Sequence, residues 1–375
     1  MNQSLKFNDK GNSKFFVTVK NRVDEYFRKN NISKNANSAM VWKTILYLGS
    51  WIGLYFMILL EFFPTYVNFF LAIILGMNMA LIGFNVCHDA LHGSYSKNAF
   101  VNKSLGFIFN LIGANDYIWS IMHNKVHHTY TNIVGHDGDL DVAPGMVRVS
   151  KDEPLKPFHR FQHIYAFALY SLASLSWFFR KDYMKFFQKK IGSHVNDHPR
   201  IEYFNLFFYK FVYYAIYIII PLVVMDITWW QFLIGFLFMN FAEGLVLGLV
   251  FQLAHLVEDT DMPHLKENEN IEESWAEHQM RTTANFARKS KIAAFLCGGL
   301  NFQVEHHLFP KVCHIHYPAI SGIVKETAHE FDLPYNENDT FMSALKSHYL
   351  FLKNAGRNEE IAEPILSSRE RELVA

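Results

Sequence analysis

Three short runs of the chain concentrate imidazole: His88-Asp-Ala-Leu-His92, His123-Asn-Lys-Val-His127-His128 and Gln303-Val-Glu-His306-His307. A single His255 stands apart from them. Residues four apart lie on one face of a helix, about 6 Å apart along its axis, so the two imidazoles of such a pair can converge on one metal ion. Adjacent histidines point about 100° apart. They serve two metals, or one metal and the groups around it. Two adjacent pairs plus an i,i+4 pair point to a dinuclear centre rather than a single zinc. Imidazole suits iron, zinc, copper or nickel, and ligand softness does not choose among them. His159, His163, His194, His198, His264, His329 and His348 occur singly and read as ordinary surface or core residues. His136 belongs to the loop His-Asp-Gly-Asp-Leu-Asp141, which is expected to be solvated. His314 and His316 follow the third run closely enough to assist it.

Something must bring these runs together, and the composition says what. Half the residues are apolar, 36 are Phe, and the charges gather between long apolar stretches. A membrane-spanning helix needs about 20 mostly apolar residues. Four segments qualify: roughly Val41 to Phe63, Tyr66 to Cys87, Phe204 to Met225 and Trp229 to Ala254. Their connections are very short, which predicts two helical hairpins with both turns on one side of the membrane. Lys210 is placed to snorkel to the headgroups, and Trp229 and Trp230 suit an interfacial belt. Ser104 to Ser120 and Phe161 to Phe179 are also apolar. The first carries Asn110, Asn115 and Asp116. A crossing by the second would put the basic run Arg180-Lys181 to Lys189-Lys190 outside, against the positive-inside tendency, and would separate His255 from the second cluster. Both are therefore expected to lie in the interface. With four spans, all histidine clusters share one face.

The expected architecture is thus an all-α integral membrane protein with four transmembrane helices and a cytosolic histidine-rich cap. It divides into a polar segment 1–40, a membrane domain 41–350 and a charged tail 351–375. Net charge is zero, so nothing draws the chain toward nucleic acid. Cys87, Cys297 and Cys313 show no paired spacing, so neither a disulfide framework nor a cysteine zinc site is expected. The N-terminal residues lack the apolar core of a signal peptide.

The three runs, HDALH, HNKVHH and QVEHH, resemble the three histidine boxes of the membrane fatty acid desaturases. Gly298 to Pro310 (GGLNFQVEHHLFP) and Trp275 to Phe286 (WAEHQMRTTANF) also fit that family, and the resemblance extends from about residue 40 to 350. It implies two iron ions held by His88, His92, His123, His127, His128, His255, His306 and His307. Gln303 replaces the first histidine of the third box and is a weaker ligand candidate. Asp89 and Glu305 are candidates for orienting imidazoles from behind. Glutamine at that position is typical of front-end desaturases, which implies a new double bond of delta-5, delta-6 or delta-8 type. The implied partners are a fatty acyl substrate on CoA, lipid or carrier protein, O2, membrane lipid and an electron donor. The sequence contains no His-Pro-Gly-Gly haem motif and no dinucleotide fingerprint, so a separate ferredoxin or cytochrome b5 is expected to supply electrons. Both termini and the metal site are expected to be cytosolic, with a bacterial inner membrane as the setting. Glu243, near the middle of the fourth span, is a candidate lining residue of the substrate tunnel, since an ionisable group there is costly. Gly244 and Gly248 are spaced for close helix packing. The same kind of centre supports hydroxylation, and a non-catalytic metal transporter or receptor is the alternative of another class.

Overall fold

The structure is a computed structural model that describes residues 5–8, 14–140, 143–263 and 270–357. It is mostly helical. Among the described residues, four helices are long and apolar enough to cross a membrane: Ser38–Leu59, Thr65–His92, Arg200–Val224 and Trp229–His255. The protein is therefore a membrane protein. The second crossing extends past the expected Cys87, so the first box lies on the end of the span itself.

In chain order, α1 (Lys14–Lys29) precedes the first crossing, α2 (Ser38–Leu59), which Asn37 caps by accepting the amide of Met40 at 3.0 Å. The second crossing is α3 (Thr65–Ile82), a π-helical turn at Gly83–Cys87, and α4 (His88–His92). The next apolar stretch folds as α5 (Ala99–Leu111) and α6 (Asp116–Trp119), followed by a π-helical segment Ser120–His127 and α7 (His128–Tyr130). Then come α8 (Gln162–Ser171), α9 (Ala173–Ser176) and α10 (Asp182–Phe187). The Phe161 to Phe179 stretch is broken at Leu172, so neither piece can span. The third crossing joins α11 (Arg200–Tyr214) through a π-helical turn to α12 (Ile220–Val224), and α13 (Trp229–His255) is the fourth. Short helices α14 (Trp275–Thr282), α15 (Lys291–Leu296) and α16 (Gln303–Leu308) lead to α17 (Tyr317–Glu330) and α18 (Phe341–Ala355). Two two-stranded pairs, Lys190–Ile191 with His194–Val195 and Asn285–Phe286 with Glu337–Asn338, are the sheet content of the described residues.

The crossings are not equivalent. Only 17% of the apolar window of the first and of the third is buried within the protein, against 56% and 39% for the second and fourth. The second and fourth form the centre, and the outer pair leaves apolar surface for lipid. The centre is tight. A Cβ on Gly76 of α3 would run into the backbone of Met239, and one on Gly244 or Gly248 would run into α8 at Ser171 or Tyr170. Close packing is thus the role of both α13 glycines.

One expectation is corrected. Lys210 does not snorkel. It is buried, 2.6 Å from Asp182 Oδ2 and 2.7 Å from the Gly113 carbonyl. Within the polar segment 1–40, α1 buries Phe15, Val19, Val23 and Phe27 against α14, α16 and α17. The helix α18 continues across residue 350 to Ala355. The rest of the charged tail, residues 358–375, and His264 lie outside the described residues.

Breaking a buried ion pair from one side leaves an uncompensated charge. Lys210→Met is expected to cost about 3–5 kcal/mol of stability. The double change Lys210→Met with Asp182→Asn, which retains an acceptor for the Asn115 amide, is expected to cost much less. Thermal unfolding in detergent checks this. Equal losses in the two proteins would contradict it.

Candidate metal centre

The π-helical segment decides how the second box points. Its backbone bonds run i to i+5, so residues four and five apart stay on one side. His123 accordingly faces both His127, with ring centroids 5.0 Å apart, and His128, at 4.8 Å. A regular α-helix would have turned one of the adjacent pair away. The first box arrives from the end of the second crossing, with the rings of His88 and His92 4.6 Å apart. His255 arrives from the end of α13, and His306 and His307 from α16.

All eight imidazoles converge and are buried. Their ligand atoms form overlapping groups: His88, His92, His123 and His306; His127, His255 and His307; and His128 with His306 and His307. In each group these atoms lie within 4.8 Å of one another. His123 Nε2 is 3.3 Å from His88 Nε2 and 3.2 Å from His128 Nε2. A proton can bridge one such pair, but His123 Nε2 faces two other nitrogens at once, and a cation among them would engage the lone pairs of all three. Nδ1 of His88 and His128, and Nε2 of His92, His127 and His306, have no hydrogen-bond partner. Burial first, and then the neighbouring imidazoles, holds His123, His128, His306 and His307 well below the ordinary imidazole value. Neutral rings keep lone pairs for a metal. The residues present therefore fit a pair of metal ions with nitrogen-rich coordination.

Behind this ring a second set of groups fixes ring orientation. His127 Nδ1 donates to Asp137 Oδ2 at 2.9 Å, and His307 Nδ1 to Gln279 Oε1 at 2.7 Å. His123 Nδ1 reaches Asp139 Oδ2 at 3.3 Å, His255 Nδ1 the Thr282 carbonyl at 3.4 Å, and His306 Nδ1 the Tyr317 hydroxyl at 3.3 Å. Each engaged Nδ1 turns Nε2 inward. Trp119 stacks on His123 with centroids 4.4 Å apart. Sequence reasoning missed this set. The loop expected to be solvated instead buries Asp137, whose carboxylate also accepts the amides of Asn132 and Asp139. The available signal was two acidic residues nine and eleven positions beyond the end of the second box.

The residues expected behind the ligands sit elsewhere. Asp89 Oδ2 accepts from His314 Nδ1 at 2.8 Å and from Cys313 Sγ at 2.9 Å, and His314 Nε2 is 3.1 Å from Lys43 Nζ. Asp89 thus ties the first box to the turn after the third. Glu305 accepts from Asn285 Nδ2 at 2.9 Å and from the Tyr335 hydroxyl at 2.7 Å, on the far side of α16 from the ring. His316 bonds the Asn35 carbonyl, and His348 bonds the Tyr170 hydroxyl and the Leu256 carbonyl. Gln303 is inside the centre. Its amide nitrogen is 2.8 Å from His255 Nε2 and 3.3 Å from His307 Nε2, and its Oε1 has no hydrogen-bond partner.

A mostly apolar cavity of about 120 Å³ opens from the centre. His88, His123 and Gln303 form its polar end, and Trp119, Trp177 and Phe251 are among its walls. Gly83, Phe109, Trp177 and Leu247 also wall a smaller chamber that reaches Glu243. The Glu243 carboxylate accepts from the Ser174 hydroxyl at 2.5 Å.

Residues 64–339 match the family described as Fatty acid desaturase. The chain is 35% identical to an acyl-lipid (8-3)-desaturase of Physcomitrium patens, over 95% of this chain and 74% of the relative. It is 33% identical to an sn-1 linoleoyl-lipid 6-desaturase of Synechocystis sp., over 95% of this chain and 98% of the relative. An acyl-lipid (8-3)-desaturase of Mortierella alpina is 32% identical over 91% of this chain and 78% of the relative.

Proposed function

From the chain's membership of the fatty acid desaturase family, we propose that it introduces a cis double bond into the acyl chain of a membrane lipid, on the carboxyl side of an existing one. It is a membrane oxidoreductase. The observation that carries the specific reading is the meeting of eight buried imidazoles with a mostly apolar cavity. The names of the relatives, 6-desaturase and (8-3)-desaturase, support the front-end position and the acyl-lipid carrier.

His88, His92, His123 and His306 would hold one iron ion. His127, His255 and His307 would hold the other, with His128 between them and Gln303 beside the second. When bound, two iron ions supply the reductive activation of O2 needed to oxidise an unactivated CH2–CH2 unit. Per turnover two hydrogens leave the chain, and O2, two electrons and two protons complete two molecules of water. A separate donor, ferredoxin or cytochrome b5, provides the electrons.

The residues do the rest. Trp119 and Trp177 wall the acyl chain and exclude water at the polar end of the cavity. Asp137, Asp139 and Gln279 keep a proton on Nδ1 of their histidines and so leave Nε2 for metal.

The same reading sets the topology. The four crossings form two hairpins, supported by the contact of their turns, where the Asp226 amide donates to Glu61 Oε2 at 2.8 Å. Neither turn, residues 60–64 or 225–228, carries Lys or Arg. The positive-inside tendency supports a cytosolic histidine-rich cap and cytosolic termini. The helices α5 and α6 lie at or just within the interface, whereas α8 and α9 run inward along α13 as far as Ser174, which bonds Glu243 near the middle of that crossing.

Expression in a host that lacks polyunsaturated lipids and is fed linoleic acid tests the function. Mass spectrometry should find a product lighter by two hydrogens, with the new bond toward the carboxyl end and concentrated in the lipid rather than the CoA pool. A product heavier by one oxygen would make the protein a hydroxylase. No product with either donor supplied would favour a non-catalytic metal protein.

A further inference from the structure

A second cavity lies between the crossings at the end near the turns. It measures about 100 Å³, and Leu75, Tyr217, Gly235, Phe236 and Met239 are among its walls. It is separate from the chamber at Glu243, yet the two are close. On α3 the second cavity reaches Leu75 and the chamber reaches Met79. On α13 the second cavity reaches Met239 and the chamber reaches Glu243. Both steps are four residues, about 6 Å of helix.

What fills that interval is polar. The Tyr213 hydroxyl donates to Asn240 Oδ1 at 3.3 Å, and Asn240 Nδ2 donates to the Phe236 carbonyl at 2.7 Å. The Ser174 hydroxyl lies 3.1 Å from Asn240 Oδ1 and 2.5 Å from Glu243 Oε2. Tyr213 and Asn240 are completely buried, and Ser174 and Glu243 are 3% exposed. Tyr213 stands one turn along its helix from Tyr217 of the second cavity and packs on it, with ring centroids 4.8 Å apart. Polar groups at membrane depth are costly and are kept where they bond one another. Four residues from three chain segments, bonded into one layer between two voids, make a fixed partition.

We propose that the layer of Tyr213, Asn240, Ser174 and Glu243 is the stopper of the acyl tunnel and sets the length of acyl chain accepted beyond the new double bond. This rests on the reading of the first cavity as the acyl site. An acyl chain that passes Trp177 ends against the layer. Opening the layer joins the chamber to the second cavity and lengthens the tunnel by at least one helical turn, room for about four more carbons.

Gly235 supplies the control. A Cβ there meets nothing within 4 Å, so Gly235→Leu projects into the second cavity without disturbing the first. The experiment compares wild type, Asn240→Ala, Tyr213→Ala, Gly235→Leu and each opened variant combined with Gly235→Leu. Each is fed unsaturated acids of sixteen to twenty-two carbons whose double bonds lie at the same distance from the carboxyl group. The ratio of product from the longest to that from the preferred substrate should rise on the order of tenfold in the opened variants. Gly235→Leu alone should keep the wild-type ratio, and the combined variants should return to it.

Opened variants that keep activity and the wild-type ratio would overturn the proposal. So would a shift that survives Gly235→Leu, or a shift caused by Gly235→Leu alone. If Tyr213→Ala does not accumulate, Asn240→Ala decides, backed by Tyr213→Leu. If no acyl chain is desaturated by the wild-type protein or raises its melting temperature in detergent, the acyl-site reading itself fails.

Discussion

His306→Ala should reduce desaturated product by more than about 100-fold and lower the iron bound per chain. The reason is position. His306 is the one histidine whose ligand atom joins both the His88, His92 and His123 group and the His128 and His307 pair. Its ring stands 4.5 Å from His88 and 4.6 Å from His128. Its removal takes a donor from one ion and loosens the boundary with the other. Three other effects could imitate the loss, and each has a readout. Misfolding would lower detergent melting and membrane yield. Loss of a generic histidine is controlled by His329→Ala, at an exposed position of α17. Failure of electron supply would leave iron content unchanged. Full activity with His306→Ala would remove the dinuclear assignment.

The second large effect belongs to a residue outside the histidine boxes. Asp137→Asn should lower product about 10- to 100-fold, the usual cost of disturbing the group behind a metal-binding histidine. Its carboxylate accepts from His127 Nδ1 at 2.9 Å and from the Asn132 amide at 3.0 Å, and both groups are buried. Asparagine preserves the shape and removes the charge. Asp139→Asn should matter less, because its contact with His123 is longer and its carboxylate is shared with Lys181 at 3.6 Å.

The charge also gives a pH signature. Burial opposes a charged His127, but Asp137 outweighs it and raises the imidazole above its ordinary value. In metal-free protein, the stability from this pair is present below the ordinary imidazole value and is lost as pH rises through the raised one. Iron retention has the opposite sign, since a metal competes with the proton at Nε2. It should strengthen as pH rises through the raised value. In Asp137→Asn that midpoint should move to lower pH, and iron retained after dialysis at a series of pH values measures it. An unmoved midpoint would mean that Asp137 acts through shape alone.

The sequence by itself determined the chemistry and its solvent. Histidine type and spacing are local facts, and so is an apolar run long enough for a bilayer. The eight imidazoles, the four crossings and the desaturase resemblance were all legible from them. Local periodicity does not report what lies opposite. Asp137 and Lys210 are polar residues in polar-looking or flanking sequence, and only the packing of distant segments buries them. The π-helical turn that lets His123 face both His127 and His128 depends on a backbone register that side-chain pattern does not encode. Asp89 and Glu305 sat beside ligands in sequence, yet the fold turned them toward His314 and Tyr335, because neighbouring residues on a helix face different neighbours. The division between two cavities is the most remote from sequence. It comes from the ends of four side chains on three separate segments, and a void has no residues of its own to read.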